Sequence, residues 1–326
     1  MTRTRLNVRE GQPSTAAPKL RQIEAGQKVS VIGETTGQTI QGMDLWYALE
    51  DDSFIWSGGC EGFVEAEDEA AVTRPSRAEI GDYAPPLFET APGIRHAARG
   101  KRPHGLEGLI VHFDAYRIKA AGNGADDSDR RALDTLRGGQ TNGYHYGAIS
   151  RSGRIFLPEG FTWDSWGYHA GVSSCPVTGR SGVSQFYVGF ELNNPGKLFP
   201  TADPKVFCPW FNVVLNAKKQ PVLDSKGRAT RRSANDEWYA DTDVRHASGG
   251  NIKDGWYLPY SFAQLESLTN VVIYLARRFP GSFKIDQVLG HDEVAPTRKN
   301  DPGGAMGDPA EVMTMADYRA FVKTRI

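Results

Sequence analysis

Sulfur is scarce in this chain. Only three cysteines, Cys60, Cys175 and Cys208, occur among 326 residues. So odd and sparse a set excludes a disulfide framework and fits synthesis in a reducing compartment. Net charge is scarce as well: 38 lysines and arginines against 39 aspartates and glutamates leave a formal charge of −1. A phosphate backbone needs a clear basic excess, which excludes nucleic acid as the main partner. Long apolar runs are missing. Those present, such as Val271 to Ala276, are core-sized, so no membrane insertion is expected. No basic block flanks an apolar helix to favour a membrane surface either. The opening MTRTRLNVREG is basic but leads into no apolar stretch, so a Sec-type signal peptide is not expected. Synthesis in the cytoplasm is expected, and a site of action outside it, such as the periplasm, needs another export or lysis route; an immunity or export partner is left unassigned.

What is present divides the chain into two parts, as its length leads one to expect. Residues 1–63 read as short strands closed by turn residues: Lys28–Ile32 (KVSVI), Leu45–Leu49 (LWYAL) and Ser53–Trp56 (SFIW), separated by Gly26, Gly33, Gly37 and the pair Asp51–Asp52. Short alternating strands with glycine turns predict a small all-β barrel. The stretches LNVREGQPS, LRQIEAGQKVSVIGE and WYALEDDSFIWSGGCEGF resemble bacterial SH3-like modules attached to wall hydrolases. That resemblance implies wall binding; a small β domain that only packs on its neighbour is the alternative, because a fold does not fix a function. Residues 64–104 are acidic, then proline-rich, with no sustained period, and read as a linker.

Residues 105–326 alternate strand and helix patterns and predict an α/β domain, a mixed central sheet flanked by helices. Leu109–Phe113 (LIVHF) has the continuous apolar character of a buried strand, and Tyr187–Leu192 (YVGFEL) reads as another. Tyr144–Ile149 and Gly153–Leu157 form an expected hairpin, and Ala125–Leu136 an expected helix with acidic residues at its start. Ser261 and Gln264 have capping-box spacing ahead of Leu265, Leu268, Val272, Leu275 and Phe279, while Thr314 and Asp317 repeat that spacing for a terminal helix.

Chemistry concentrates in Gly290–Gly304, GHDEVAPTRKNDPGG, which follows the strand-like Gln287–Leu289. It puts a histidine, a lysine and an aspartate in one proline- and glycine-rich loop. His291 and Asp301 reach a common point if the loop folds back, and a neutral imidazole with a carboxylate suits zinc. A catalytic zinc takes three protein ligands and keeps one open position, so a third donor must come from elsewhere. His112, held in the strand LIVHF, is the natural candidate.

LIVHFDA, GYHYGAISRSGRI, GYHAG, VGFEL and GHDEVAPTRKNDPGG stand in an order that resembles type-2 N-acetylmuramoyl-L-alanine amidases, a family that includes peptidoglycan-recognition proteins. The resemblance implies Zn2+ held by His112, His291 and Asp301. It further implies Glu191 as the carboxylate that handles the proton of the attacking water, Lys299 beside the developing oxyanion, Tyr144 supporting from the opposite wall, and His169 as a cleft histidine contacting substrate. Peptidoglycan or muropeptides are then the partner. His96, His104, His145 and His246 are left as structural.

The segment of about 196–260 exceeds the usual family core and carries Trp210, Trp238, Tyr239, Trp256 and Tyr257. A loop this long is functional or has its own structure, so it either extends the substrate cleft or elaborates the surface. Three readings stay open at this level: a lytic metalloamidase of the wall, a binding protein that kept the fold without catalysis, and a cytosolic amidase recycling soluble muropeptides. The complete ligand set with Glu191 and Lys299 favours an enzyme; the SH3-like module favours polymeric wall over soluble fragments.

Overall fold

The computed structural model of the chain describes residues 2–10, 12–27, 29, 31, 33–49, 53–60, 83–307 and 311–326. It divides into two units, Met1–Thr73 and Arg74–Ile326. In the first, the short alternating stretches fold as five antiparallel strands in the order β2-β1-β5-β4-β3: β1 (Leu6–Glu10), β2 (Lys19–Ile23), β3 (Gly33–Ile40), β4 (Met43–Ala48) and β5 (Ser53–Trp56). Period-two alternation sends Leu6, Val8, Ile23 and Ile55 into one small core with Leu49. Trp46 is also buried, and its indole nitrogen donates to the Gln38 carbonyl. Of the expected strand Lys28–Ile32, Lys28, Ser30 and Ile32 lie outside the described residues, while Val29 and Val31 pack against the core.

The second unit is built on a six-stranded mixed sheet in the order β18-β8-β12-β9-β10-β6. Its members are β6 (Phe88–Ala91), β8 (Gly108–Phe113), β9 (Gly147–Ile149), β10 (Ile155–Pro158), β12 (Tyr187–Leu192) and β18 (Val288–Gly290); β7 (Gly100–Lys101) and β11 (Ser165–Trp166) form a separate ribbon. Within the stretch 64–104, read as a linker that partly docks, Phe88–Ala91 pairs in parallel with β10 and closes one edge of the sheet. Residues 64–82 of that stretch lie outside the described residues. The expected hairpin is also shorter than read: β9 begins at Gly147, and Tyr144 belongs to an isolated bridge with Tyr168.

Every residue of β8 is buried, and alternation sorts them to two faces. Leu109, Val111 and Phe113, with Val188, Phe190 and Leu192 of β12, join the main core together with Leu265, Leu268, Val272 and Leu275 of α2 (Phe262–Arg278) and Tyr318, Phe321 and Val322 of α4 (Met315–Lys323). Ile110 and His112 face the other way. Both expected capping boxes are formed, by Ser261 with Gln264 and by Thr314 with Asp317. The helix α1 (Ser128–Asn142) runs six residues beyond its expected end. Two glycines normally argue for a stop, but at Gly139 a Cβ would sit 2.5 Å from the Tyr146 hydroxyl, so close packing requires the glycine where it is. Gly143, left-handed at φ 70°, ends the helix instead.

The long segment after β12 has its own five-stranded antiparallel sheet, ordered β15-β14-β13-β17-β16: β13 (Lys197–Pro200), β14 (Val206–Pro209), β15 (Tyr239–Ala240), β16 (Arg245–Gly249) and β17 (Ile252–Tyr257). It leans on the loop after β18, with Tyr257 and Ala247 against Gly303 and Gly304. Arg245 donates to the carbonyls of Gly304 and Met306, and Lys253 to that of Pro296. The segment therefore props the loop that carries His291 and Asp301. No helix among the described residues is long and apolar enough to cross a membrane.

Candidate metal centre

Three sequence elements meet at one point. His112 projects from the face of β8 opposite the α2 core. His291 opens the short helix α3 (His291–Val294) directly after β18, the parallel neighbour of β8. Asp301 returns ten residues later, and the Asp292 amide donates to its carbonyl at 2.8 Å. All three side chains are buried. The Nδ1 atoms of His112 and His291 lie 2.8 Å apart, and each is within 3.0 Å of Asp301 Oδ2.

Proton placement follows from the partners of the other ring nitrogens. His291 Nε2 donates to the Ala170 carbonyl at 3.0 Å, leaving its Nδ1 bare in the neutral ring. His169 Nε2 donates to the Tyr187 carbonyl at 2.9 Å, so its bare Nδ1 accepts from His112 Nε2 at 3.1 Å. That leaves His112 Nδ1 bare as well. Two imidazole lone pairs and one carboxylate oxygen then point at each other in a buried site. Such an arrangement repels itself unless a cation lies among the donors, and two imidazoles with one carboxylate are the donor types zinc takes. The residues fit the metal.

The electrostatics agree. Burial pushes the His112 pKa down to about 4, with the His291 charge acting in the same direction. Burial drives His169 well below the ordinary histidine range too, helped by its neighbour His112. For Asp301, burial acts upward, but the contacts with His112 and His291 outweigh it and hold the carboxyl below its usual range. Neutral rings and an ionised carboxylate are the forms that bind metal.

Glu191 belongs to the same face. Parallel register pairs Glu191 of β12 with His112 of β8, and Glu191 Oε1 lies 4.0 Å from His112 Nδ1. Burial pushes its pKa well above the usual carboxylate value; Asp301 and Asp114 add to the rise and Lys299 opposes it. Lys299 is partly buried, and its charge is felt at both Glu191 and His112.

Tyr144 and His169, the other expected site residues, lie outside the donor trio. Tyr144 is 42% exposed, and among the described residues its hydroxyl shares no hydrogen bond with the three donors. His169 is buried with both ring nitrogens bonded inside the protein, which leaves its ring no free donor or acceptor for substrate. Asp114, two residues past His112, was not anticipated. Partly buried and pushed up to about 6 by desolvation, it accepts from Thr135, Asn193 and the Asn194 amide, tying β8, α1 and the end of β12 together. The pair Asn193–Asn194 immediately after an apolar strand was the available signal. His96 and His104 are structural as read: His96 bonds the Leu136 carbonyl and the Tyr146 amide, and His104 stacks on Phe186. His145 is buried and stacked on Phe161, whereas His246 lies half-exposed beside Asp254.

Comparison with known proteins places these residues in context. Residues 102–304 match the N-acetylmuramoyl-L-alanine amidase family, and residues 4–68 match the bacterial SH3 domain. No curated protein matches the chain. Among solved structures, a selenomethionine derivative of AmpD is 20% identical with a TM-score of 0.37, covering 72% of this chain and 98% of its own. The amidase AmiD from E. coli, solved with its substrate anhydro-N-acetylmuramic acid-L-Ala-D-γ-Glu-L-Lys, is 18% identical with a TM-score of 0.37; the match covers 65% of this chain and 58% of AmiD. The amidase LysC from Clostridium intestinale is 13% identical with a TM-score of 0.34, covering 73% of this chain and 98% of LysC.

Proposed function

The chain belongs to the N-acetylmuramoyl-L-alanine amidase family, as the match over residues 102–304 establishes, and from that premise we propose a zinc-dependent enzyme that cleaves the bond between N-acetylmuramic acid and L-alanine in polymeric cell wall. The observation that carries the zinc reading is the convergence of His112 Nδ1, His291 Nδ1 and Asp301 Oδ2 within 3.0 Å of one another, with both imidazole protons engaged on the far side of the rings.

His112, His291 and Asp301 would hold the ion. When bound, zinc polarises the scissile carbonyl and lowers the pKa of water at the site to about 7. Glu191 supplies the base: a largely enclosed carboxylate with a raised pKa accepts the proton of the attacking water and passes it to the departing amide nitrogen of L-alanine. Lys299, whose charge reaches Glu191, stabilises the oxyanion that forms on the muramyl carbonyl. We assign wall binding to the bacterial SH3 domain matched over residues 4–68, a reading that favours sacculi over soluble muropeptides and a lytic role for the enzyme.

Purified sacculi incubated with the protein test this reading. Release of free amino groups on L-alanine is expected, abolished by chelator and restored by zinc. Release that chelator leaves untouched overturns the zinc assignment, and faster turnover of small muropeptides than of sacculi overturns the lytic one.

A further inference from the structure

The two metal histidines are oriented by adjacent residues. His112 Nε2 donates to His169 Nδ1, and His291 Nε2 donates to the carbonyl of Ala170. We propose that the dipeptide His169–Ala170 is the positioning element of the metal centre, fixing the tautomer and ring direction of both histidines from one rigid support, and that His169 acts through His112 rather than by touching substrate. This inference rests on the zinc reading above and deepens it.

The support is itself built. Ser184 Oγ accepts from both the His169 and Ala170 amides, at 3.3 and 3.1 Å, so one hydroxyl pins the two backbone nitrogens. Arg298 donates to the carbonyls of Ala170 and Val172 at 2.8 and 2.9 Å, tying this stretch to the loop that carries His291 and Asp301. The Tyr187 carbonyl on β12 holds the His169 Nε2 proton. The ring of His169 stands nearly perpendicular to that of His112, 89° between planes with centroids 5.4 Å apart. Such an edge-on approach aims one nitrogen at another.

Gly189 completes the support. It lies in the middle of β12, where a glycine weakens a strand without helping it. A Cβ there would come within 2.7 Å of His169 Nδ1 and 2.8 Å of its Cγ. The glycine in VGFEL is therefore the space into which the His169 ring fits. Two residues further along β12, Glu191 takes its place beside His112, so the strand that supplies the base also makes room for the positioning ring.

A hydrogen-bond partner behind a metal-binding histidine typically changes metal affinity or activity by about 10–100-fold. His169→Ala should weaken zinc binding by that factor, read by competition with a chromophoric chelator. His169→Asn, whose Oδ1 stands near the position of Nδ1, should recover most of the loss. Gly189→Ala should weaken zinc binding similarly, although it removes no polar group. The melting temperature of each metal-free variant separates folding from positioning: the increase on adding zinc should shrink more than the metal-free value falls. Imidazole 15N spectra of the wild-type protein give a measurement free of mutation, and should show His112 and His291 protonated on Nε2 when zinc is bound.

Zinc affinity within twofold of wild type in both His169→Ala and Gly189→Ala overturns the inference, as does a His112 ring protonated on Nδ1. Wild-type protein that binds no zinc overturns the metal reading itself, and that failure is distinct because it appears before any variant is made.

Discussion

The two halves of the metal centre are held in different ways. His112 sits in a strand with hydrogen-bonded neighbours on both sides, β12 in register from Gly108 to Phe113 and β18 from Leu109 to Val111. Its position is set by ladders that also build the core. His291 and Asp301 ride on a loop with four residues of helix, and that loop stays in place because distant groups hold it: Tyr257 packs on Gly303 and Gly304, Arg245 and Lys253 bond its carbonyls, and Arg298 reaches across to Ala170. A sheet positions one ligand as a by-product of folding. The loop needs a dedicated prop, and the segment 197–257 provides it. Substitutions that loosen packing should therefore spare the strand half and damage the loop half.

The largest effect should come from removing a donor on either side. His112→Ala and Asp301→Ala should both abolish zinc binding at micromolar metal, measured by metal analysis after dialysis, and with it amidase activity. Next is Glu191→Gln, which keeps the shape and removes the base. Its kcat should fall about 10²–10⁴-fold while zinc content stays at the wild-type level; normal turnover would remove Glu191 from the mechanism. A paired comparison then tests the difference between the halves. Arg245→Ala cuts the bonds to Gly304 and Met306 and should weaken zinc binding about tenfold, the lower end for a supporting contact. Ile110→Val on the strand should cost about 1 kcal/mol of stability and leave zinc affinity unchanged. Equal affinities in the two variants would erase the distinction.

The remaining effect concerns pH and leaves the metal centre untouched. Burial pushes the His145 pKa down to about 4, with the charges of His96 and Arg102 acting in the same direction. The folded state thus binds this proton less readily than the unfolded chain, whose histidine titrates near about 6.5. Stability from this residue is complete above that value. It declines as pH falls toward about 4 and levels off below, a loss of at most about 3 kcal/mol. His145→Phe, which keeps a ring on Phe161, should flatten this part of the denaturation profile between those limits. An unchanged slope would show that other groups dominate.

The strand half was legible in the sequence for a definite reason. LIVHF and YVGFEL are buried apolar runs, and period-two alternation already puts His112 on the face opposite Val111 and Phe113. The loop half was legible as a motif, because His291 and Asp301 lie close along the chain. What holds the loop was not. Contacts from Arg245 and Tyr257 to Gly303 and Gly304 join residues nearly fifty or more positions apart, and no local pattern encodes them. The aromatic residues of the long segment leave an either-or of cleft extension or surface elaboration; in the structure Tyr257 is buried in the main core and Tyr239 in a smaller core beside the segment's own sheet. GYHAG marks His169 as a site residue, but its bond to His112 depends on the space at Gly189, which nothing within that motif shows. The first strand of the large sheet, β6, was hidden by its setting: four residues after a proline pair carry too little periodicity to stand out.

The donor trio also has a chemical consequence that its geometry alone does not convey. Nitrogen and oxygen hold this site, and sulfur takes no part in it. The three thiols, Cys60, Cys175 and Cys208, are all free, and burial pushes Cys208 up to about 11, far from the reactive thiolate. Peroxide, or exchange with foreign disulfides, can therefore not strip the centre by oxidising a ligand, as it can at thiolate-bound zinc. A centre built of nitrogen and oxygen donors keeps its ligands in oxidising as well as reducing surroundings.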